Sequence, residues 1–224
     1  MKLAIFDFDG TLLMKDTLPC LGKEWLRQNR SKTRYITTVL SVLPVLLLYK
    51  TGLMSREAMK GLAFRRFNRL YINMTRREIE EFFLQAYPYL YKLFNSVVLE
   101  EIKLAREQGF YCVLLSGAYV ELLQIVSKEL GIDAVFGAKL AYKDQVFDHK
   151  GETPFIDGQS KRALLLKAYA NEEINWEASR AFGDSYADIC ILEMVGEGVA
   201  VNPDPELLHH AQKNNWRVIN HPLA

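Results

Sequence analysis

Cysteine is scarce: Cys20, Cys112 and Cys190 are the only three, widely spaced and without a CxxC pair. Neither a disulfide framework nor a thiolate zinc site is therefore expected, and the three read as buried free thiols in a reducing compartment. An excess of one charge is also missing, since 28 basic and 27 acidic residues leave a formal charge of +1. That balance argues against a nucleic-acid backbone or an anionic membrane surface as partner. The apolar stretch VLSVLPVLLLY, residues 39–49, contains Pro44 and falls short of the ~20 residues that span a bilayer. No transmembrane segment is expected. The stretch reads as a buried helix, or else as an apolar wall facing a substrate or a membrane surface. Repeats and low-complexity segments are absent, and the four histidines show no ligand spacing, so they read as structural or surface residues. A strand pattern begins at Lys2, which leaves no signal peptide to be read and makes the cytoplasm the expected location.

What is present is an ordinary globular composition, half hydrophobic and one quarter charged, over 224 residues. That length fits one domain, or a core with a smaller inserted one. KLAIF, residues 2–6, reads as a buried strand. From 14 to 95 the pattern is helical throughout, with Ser55 as an N-cap and Thr75 and Glu78 at capping-box spacing. Beyond 96, strand and helix alternate. Strands are expected at 110–116, 134–137, 179–183, 198–201 and 216–219. Gly109 and Gly131 close helices, and a further helix begins around Ser160. A hairpin turns at Lys143-Asp144-Gln145, and a last helix starts at Asp204-Pro205. Such alternation predicts an α/β fold, a Rossmann-like parallel sheet flanked by helices, with the helical zone inserted after its first strand. The expected division is a core of 1–13 and 96–224 with an all-helical cap at 14–95.

Active sites of such sheets gather at the carboxyl ends of the strands. Those ends carry Asp7 and Asp9, then Ser116-Gly117, then Gly183-Asp184 with Asp188, while Lys161 adds a cation near a helix start. Clustered carboxylates repel one another unless a hard cation joins them, and Mg²⁺ takes carboxylates, water and a substrate phosphate. A hydroxyl, an ammonium and backbone amides would meet phosphate oxygens. The set suits phosphoryl transfer.

DFDGTLL, LLSGAY, Lys161 and GDSYADICIL, in that order, resemble the four motifs of the haloacid-dehalogenase superfamily. In detail the chain is similar to its subfamily IB, which includes phosphoserine phosphatase and carries a helical C1 cap between the first two motifs. The resemblance implies a Mg²⁺-dependent phosphomonoester hydrolase acting on a small phosphorylated metabolite. Asp7 would be the nucleophile that becomes an aspartyl-phosphate, and Asp9 the proton donor and acceptor. Asp7, the Asp9 main-chain carbonyl and Asp184 would hold Mg²⁺, with Asp188 in or just behind that shell. Ser116, Gly117 and Lys161 would bind the phosphoryl group. Asp16 stands near the place where phosphoserine enzymes hold the substrate ammonium, yet Gly10 and SGAY depart from their pattern. Phosphotransfer to another acceptor, phosphoserine hydrolysis proper, and a non-enzymatic phospho-accepting signalling module remain as alternatives. The aromatic and aliphatic density of 14–95 points to a substrate with an apolar portion. Arg65, Arg66 and Arg69 are either attractors of an anion or a solvated helix face.

Overall fold

The computed structural model describes residues 1–220. Its first strand, β1 (Leu3–Phe6), is wholly buried. Four helices follow: α1 (Thr17–Arg27), α2 (Lys32–Lys50), α3 (Arg56–Phe67) and, after a 3₁₀ turn at Asn68–Tyr71, α4 (Arg76–Tyr91). Then come α5 (Ser96–Glu107), β2 (Tyr111–Tyr119), α6 (Val120–Leu130), β3 (Ala134–Ala138) and the short pair β4 (Tyr142–Lys143) and β5 (Val146–Phe147). The chain finishes with α7 (Gly158–Ala168), β6 (Arg180–Gly183), α8 (Ile189–Leu192), β7 (Glu197–Val201), α9 (Pro205–Lys213) and β8 (Arg217–Ile219). Six strands form one parallel sheet in the order β3-β2-β1-β6-β7-β8. The predicted α/β class and the helical insertion after β1 are both present.

Strand alternation divides the core. Ala4 and Phe6 face a large cluster that runs from the sheet through Phe8, Leu12 and Leu13 into Trp25, Phe64, Tyr71 and Phe82. Leu3 and Ile5 face the smaller cluster with Val113, Leu115, Leu165 and Leu207. Both faces of the sheet are thus covered, which is why its strands are apolar without alternation. The helical segment shares its core with the sheet: Tyr119, at the end of β2, packs on Tyr71 and Phe83 and donates a 2.7 Å hydrogen bond to Asn68. The two ends of the insertion meet, with the Met14 amide bonded to the Leu93 carbonyl and the Asn95 amide to that of Leu12.

Local signals explain most boundaries. Thr75 and Glu78 form the capping box of α4, and Ser55 and Asp204 cap α3 and α9. Elsewhere tertiary contacts changed the expectation. Strand β2 runs on to Tyr119 rather than stopping at 116, because its far end is held by the aromatic cluster. Helix α7 starts at Gly158, ahead of Ser160, since the Asp157 side chain accepts the Ser160 amide. Lys143 belongs to a strand, leaving Asp144 and Gln145 as the turn, both at positive φ. Cys20 and Cys112 are buried free thiols as expected, but Cys190 is only half-buried. His209 and His210 lie on α9, His210 pairing with Glu193 and packing at a tilt against Trp216, whereas His221 lies outside the described residues.

The largest correction concerns residues 39–49. They lie on α2, but only Val45 of that stretch is buried; Leu40 is 58% and Leu47 62% exposed. The helix is apolar around most of its circumference, and its neighbours α1, α3 and the 3₁₀ turn can cover one side only. No helix among the described residues is long and apolar enough to cross a membrane.

Candidate functional site

At the carboxyl end of β1 the chain leaves the sheet at Asp7, whose amide still bonds to the Phe182 carbonyl of β6. Gly10 then turns at φ +83°, and a Cβ there would come within 2.3 Å of the Asp184 carboxylate. Glycine therefore lets two strand ends bring Asp7 and Asp184 together. Along β2 the pairing with β3 slips between Leu115 and Tyr119, and this irregularity frees Ser116 and Gly117 to line a cavity. The Ser116 hydroxyl accepts the Ala118 amide at 3.2 Å, and α6 begins only at Val120. Ser116 is thus not the helix N-cap that such a serine suggests. On the opposite side Gly158 lies so close to the Ala187 carbonyl that a Cβ would collide with it at 1.8 Å. That contact seats α7 against the segment bearing Asp188.

The result is a cavity of about 370 Å³ into which Asp7, Asp9, Asp16, Ser116, Gly117, Lys161, Asp184 and Asp188 all face. All eight were singled out from the sequence for chemistry. Buried Lys161 donates to Asp7 Oδ1 at 2.7 Å and to Asp188 Oδ1 at 2.5 Å. Ser185, which sequence reasoning did not single out although it lies in GDSYADICIL, donates to Asp188 Oδ2 at 3.2 Å. Thr17 was also missed: its amide donates to Asp9 Oδ1 at 3.0 Å, and its hydroxyl bonds to the same oxygen. Its only signal was the Asp-Thr pair opening α1. Arg65, Arg66 and Arg69 do not line the cavity; Arg66 donates to the Ser41 carbonyl, while Lys60 of α3 does face in.

Burial raises three of the carboxylates. Burial pushes Asp7 up to about 6, against the pull of Lys161, and Asp9 up to about 7, against the Thr17 hydrogen bond. Burial works against the Lys161 charge, but Asp188 and Asp7 outweigh it and hold the ammonium protonated. Asp184 is lifted well above the usual carboxylate range by burial and then by the charges of Asp7 and Asp188. Lys161 bonds to Asp7 and Asp188 but not to Asp184. Oxygens of Asp7, Asp184 and Asp188 lie within 4.8 Å of one another. Such a set of hard oxygen donors, short of positive charge, fits Mg²⁺. The Asp9 carboxylate is not in that group; Thr17 holds it aside.

Comparison with known proteins gives a consistent picture. The model of the haloacid dehalogenase-like hydrolases matches residues 4–193. A phosphoserine phosphatase from Methanocaldococcus jannaschii is 24% identical over 215 residues, covering 94% of this chain and 90% of that protein. Other curated relatives are longer, and the chain spans about a third of their length, 35% to 36%. A Bordetella pertussis protein of unknown function has a similar structure, with TM-score 0.81, 19% identity and 97% of each chain covered. A phosphoserine phosphatase solved as a phospho-aspartyl intermediate analogue gives TM-score 0.63 and 22% identity, with 98% of this chain and 92% of that one covered. These two structural likenesses are of fold.

Proposed function

Because the chain belongs to the haloacid dehalogenase-like hydrolases, we propose that it is a phosphatase that hydrolyses a small phosphomonoester through Asp7. The observation that carries this is the meeting, in one cavity, of Asp7 and its buried lysine with the Asp184–Asp188 carboxylates. The fold it shares with a phosphoserine phosphatase solved as a phospho-aspartyl intermediate analogue supports the reading.

In the first step an Asp7 carboxylate oxygen attacks phosphorus, and the P–O bond to the leaving alcohol breaks. Asp9, fixed through Oδ1 by Thr17 with its other oxygen left for the cavity, gives that alcohol its proton. In the second step Asp9 takes a proton from water, which attacks the aspartyl-phosphate; inorganic phosphate leaves and Asp7 is regenerated. Ser116 and the Gly117 amide donate to the phosphoryl oxygens, and Lys161 holds Asp7 oriented while adding positive charge beside it. Mg²⁺, held by Asp7, Asp184, Asp188 and the Asp9 carbonyl, would supply charge neutralisation for the phosphoryl oxygens. Residues 14–95 act as a cap over the core formed by 1–13 and the described residues from 96 on, closing the cavity from above.

The test is phosphate release from p-nitrophenyl phosphate, with Mg²⁺ and with a chelator. Activity that depends on Mg²⁺ and disappears in Asp7→Asn is expected. Full activity in that variant would overturn the nucleophile, and a phosphorylated protein stable for hours without turnover would indicate a signalling module instead.

A further inference from the structure

The charged floor occupies only one end of the cavity. Above it, Val39, Val42, Leu43 and Leu46 line the wall at the i, i+3, i+4, i+7 spacing of a single helical stripe on α2. Met59 and Phe64 of α3 face the same space. Val39, Leu43 and Leu46 are 37%, 43% and 37% exposed although they border a cavity, so their apolar surface awaits cover. Asp16, Glu57, Lys60 and Asp157, whose carboxylate caps α7, are the charged side chains beyond the floor among the described residues, and no arginine lines the space. A compact, fully polar metabolite would leave the α2 stripe wet.

Resting on the phosphatase reading above, we propose that the substrate is an amphiphilic phosphomonoester whose alkyl chain lies along the Val39–Val42–Leu43–Leu46 stripe while its phosphate sits beside Asp7. Carboxylates and lysine meet the head and the stripe meets the tail. Covering exposed apolar surface supplies binding that a polar head alone lacks. Specificity then resides in length rather than in a second polar group.

A series of n-alkyl phosphates from ethyl to decyl tests this, each ester assayed dissolved below its micelle concentration and also carried in neutral phosphatidylcholine vesicles. The expected result is a rise in kcat/KM of about two- to fourfold per methylene. The rise should end once the chain passes Leu46. Such a rise in either arm supports the proposal, and the arm that shows it identifies the source as dissolved or membrane-borne. A flat series in both arms, or O-phosphoserine exceeding every alkyl ester, overturns it. Failure to release phosphate from p-nitrophenyl phosphate would instead overturn the phosphatase reading. Leu43→Gln with Leu46→Gln, both on exposed positions, should lower the decyl-to-ethyl ratio of kcat/KM about tenfold with an unchanged circular-dichroism spectrum. An unchanged ratio places the chain elsewhere and overturns the assignment to α2.

Discussion

At the floor of the cavity hydrogen bonds tie down Asp7, Asp9, Lys161 and Asp188, whereas along its α2 wall apolar side chains stand partly in water. Lys161 bridges two carboxylates, Ser185 holds one of them, and Thr17 fixes Asp9. These residues come from strand ends or from segments packed directly on them, where neighbouring backbones fix position. The wall is one helix resting on other helices, with Thr38 and Val45 its only buried residues. A site that must hold reacting atoms in register needs the first kind of support. A surface that only has to cover an apolar body can be built from the second.

The largest expected effect tests whether the floor does chemistry. Asp7→Asn should lower kcat on p-nitrophenyl phosphate by about 1,000-fold or more, with the circular-dichroism spectrum retained. Next comes Lys161→Met, which leaves Asp7 and Asp188 buried without their cation. Urea unfolding should show a loss of about 3 kcal/mol, and added Mg²⁺ should recover part of it. No recovery would mean that the cluster does not take a cation.

Glu121 of α6 gives the contrasting case of a buried carboxylate with no lysine. Burial raises its pKa more than the 3.1 Å hydrogen bond from the Tyr142 hydroxyl lowers it. Its Oε2 has no partner. The folded state therefore keeps the proton to higher pH than the unfolded chain does, and stability falls as pH rises above the unfolded value of ~4.3. Glu121→Gln should thus match the wild type near pH 4 and be more stable by roughly 1 kcal/mol at pH 8. Equal stability at both pH values would show the carboxylate to be compensated. The smallest effect is expected on the outward side of the wall: Leu47→Gln, at a 62% exposed position, should shift stability by under ~0.5 kcal/mol. A larger loss would mean that α2 is covered there.

The floor was readable in the sequence because its residues come in short motifs that end strands. DFDG, SG and GD each place chemistry one or two residues past an apolar run, and the strand itself announces the run. Thr17 was not readable. Its bond to Asp9 closes a loop through Gly10 whose path depends on the positive φ there. Capping residues fixed α3, α4 and α9 locally, while the end of β2 was set by Tyr119 docking on Tyr71 and Phe83, residues distant in sequence.

By itself the sequence determined the parallel α/β core, the helical insertion and the identity of the chemical groups, because periodicity, caps and motifs are local. Tertiary structure alone decided which side of α2 would be covered, since a helix apolar on nearly every side has no inward face until a neighbour chooses one. It also decided how the charges pair, because Lys161 lies 154 residues from Asp7 and 27 from Asp188, and only the packing of α7 against the strand ends brings the three together.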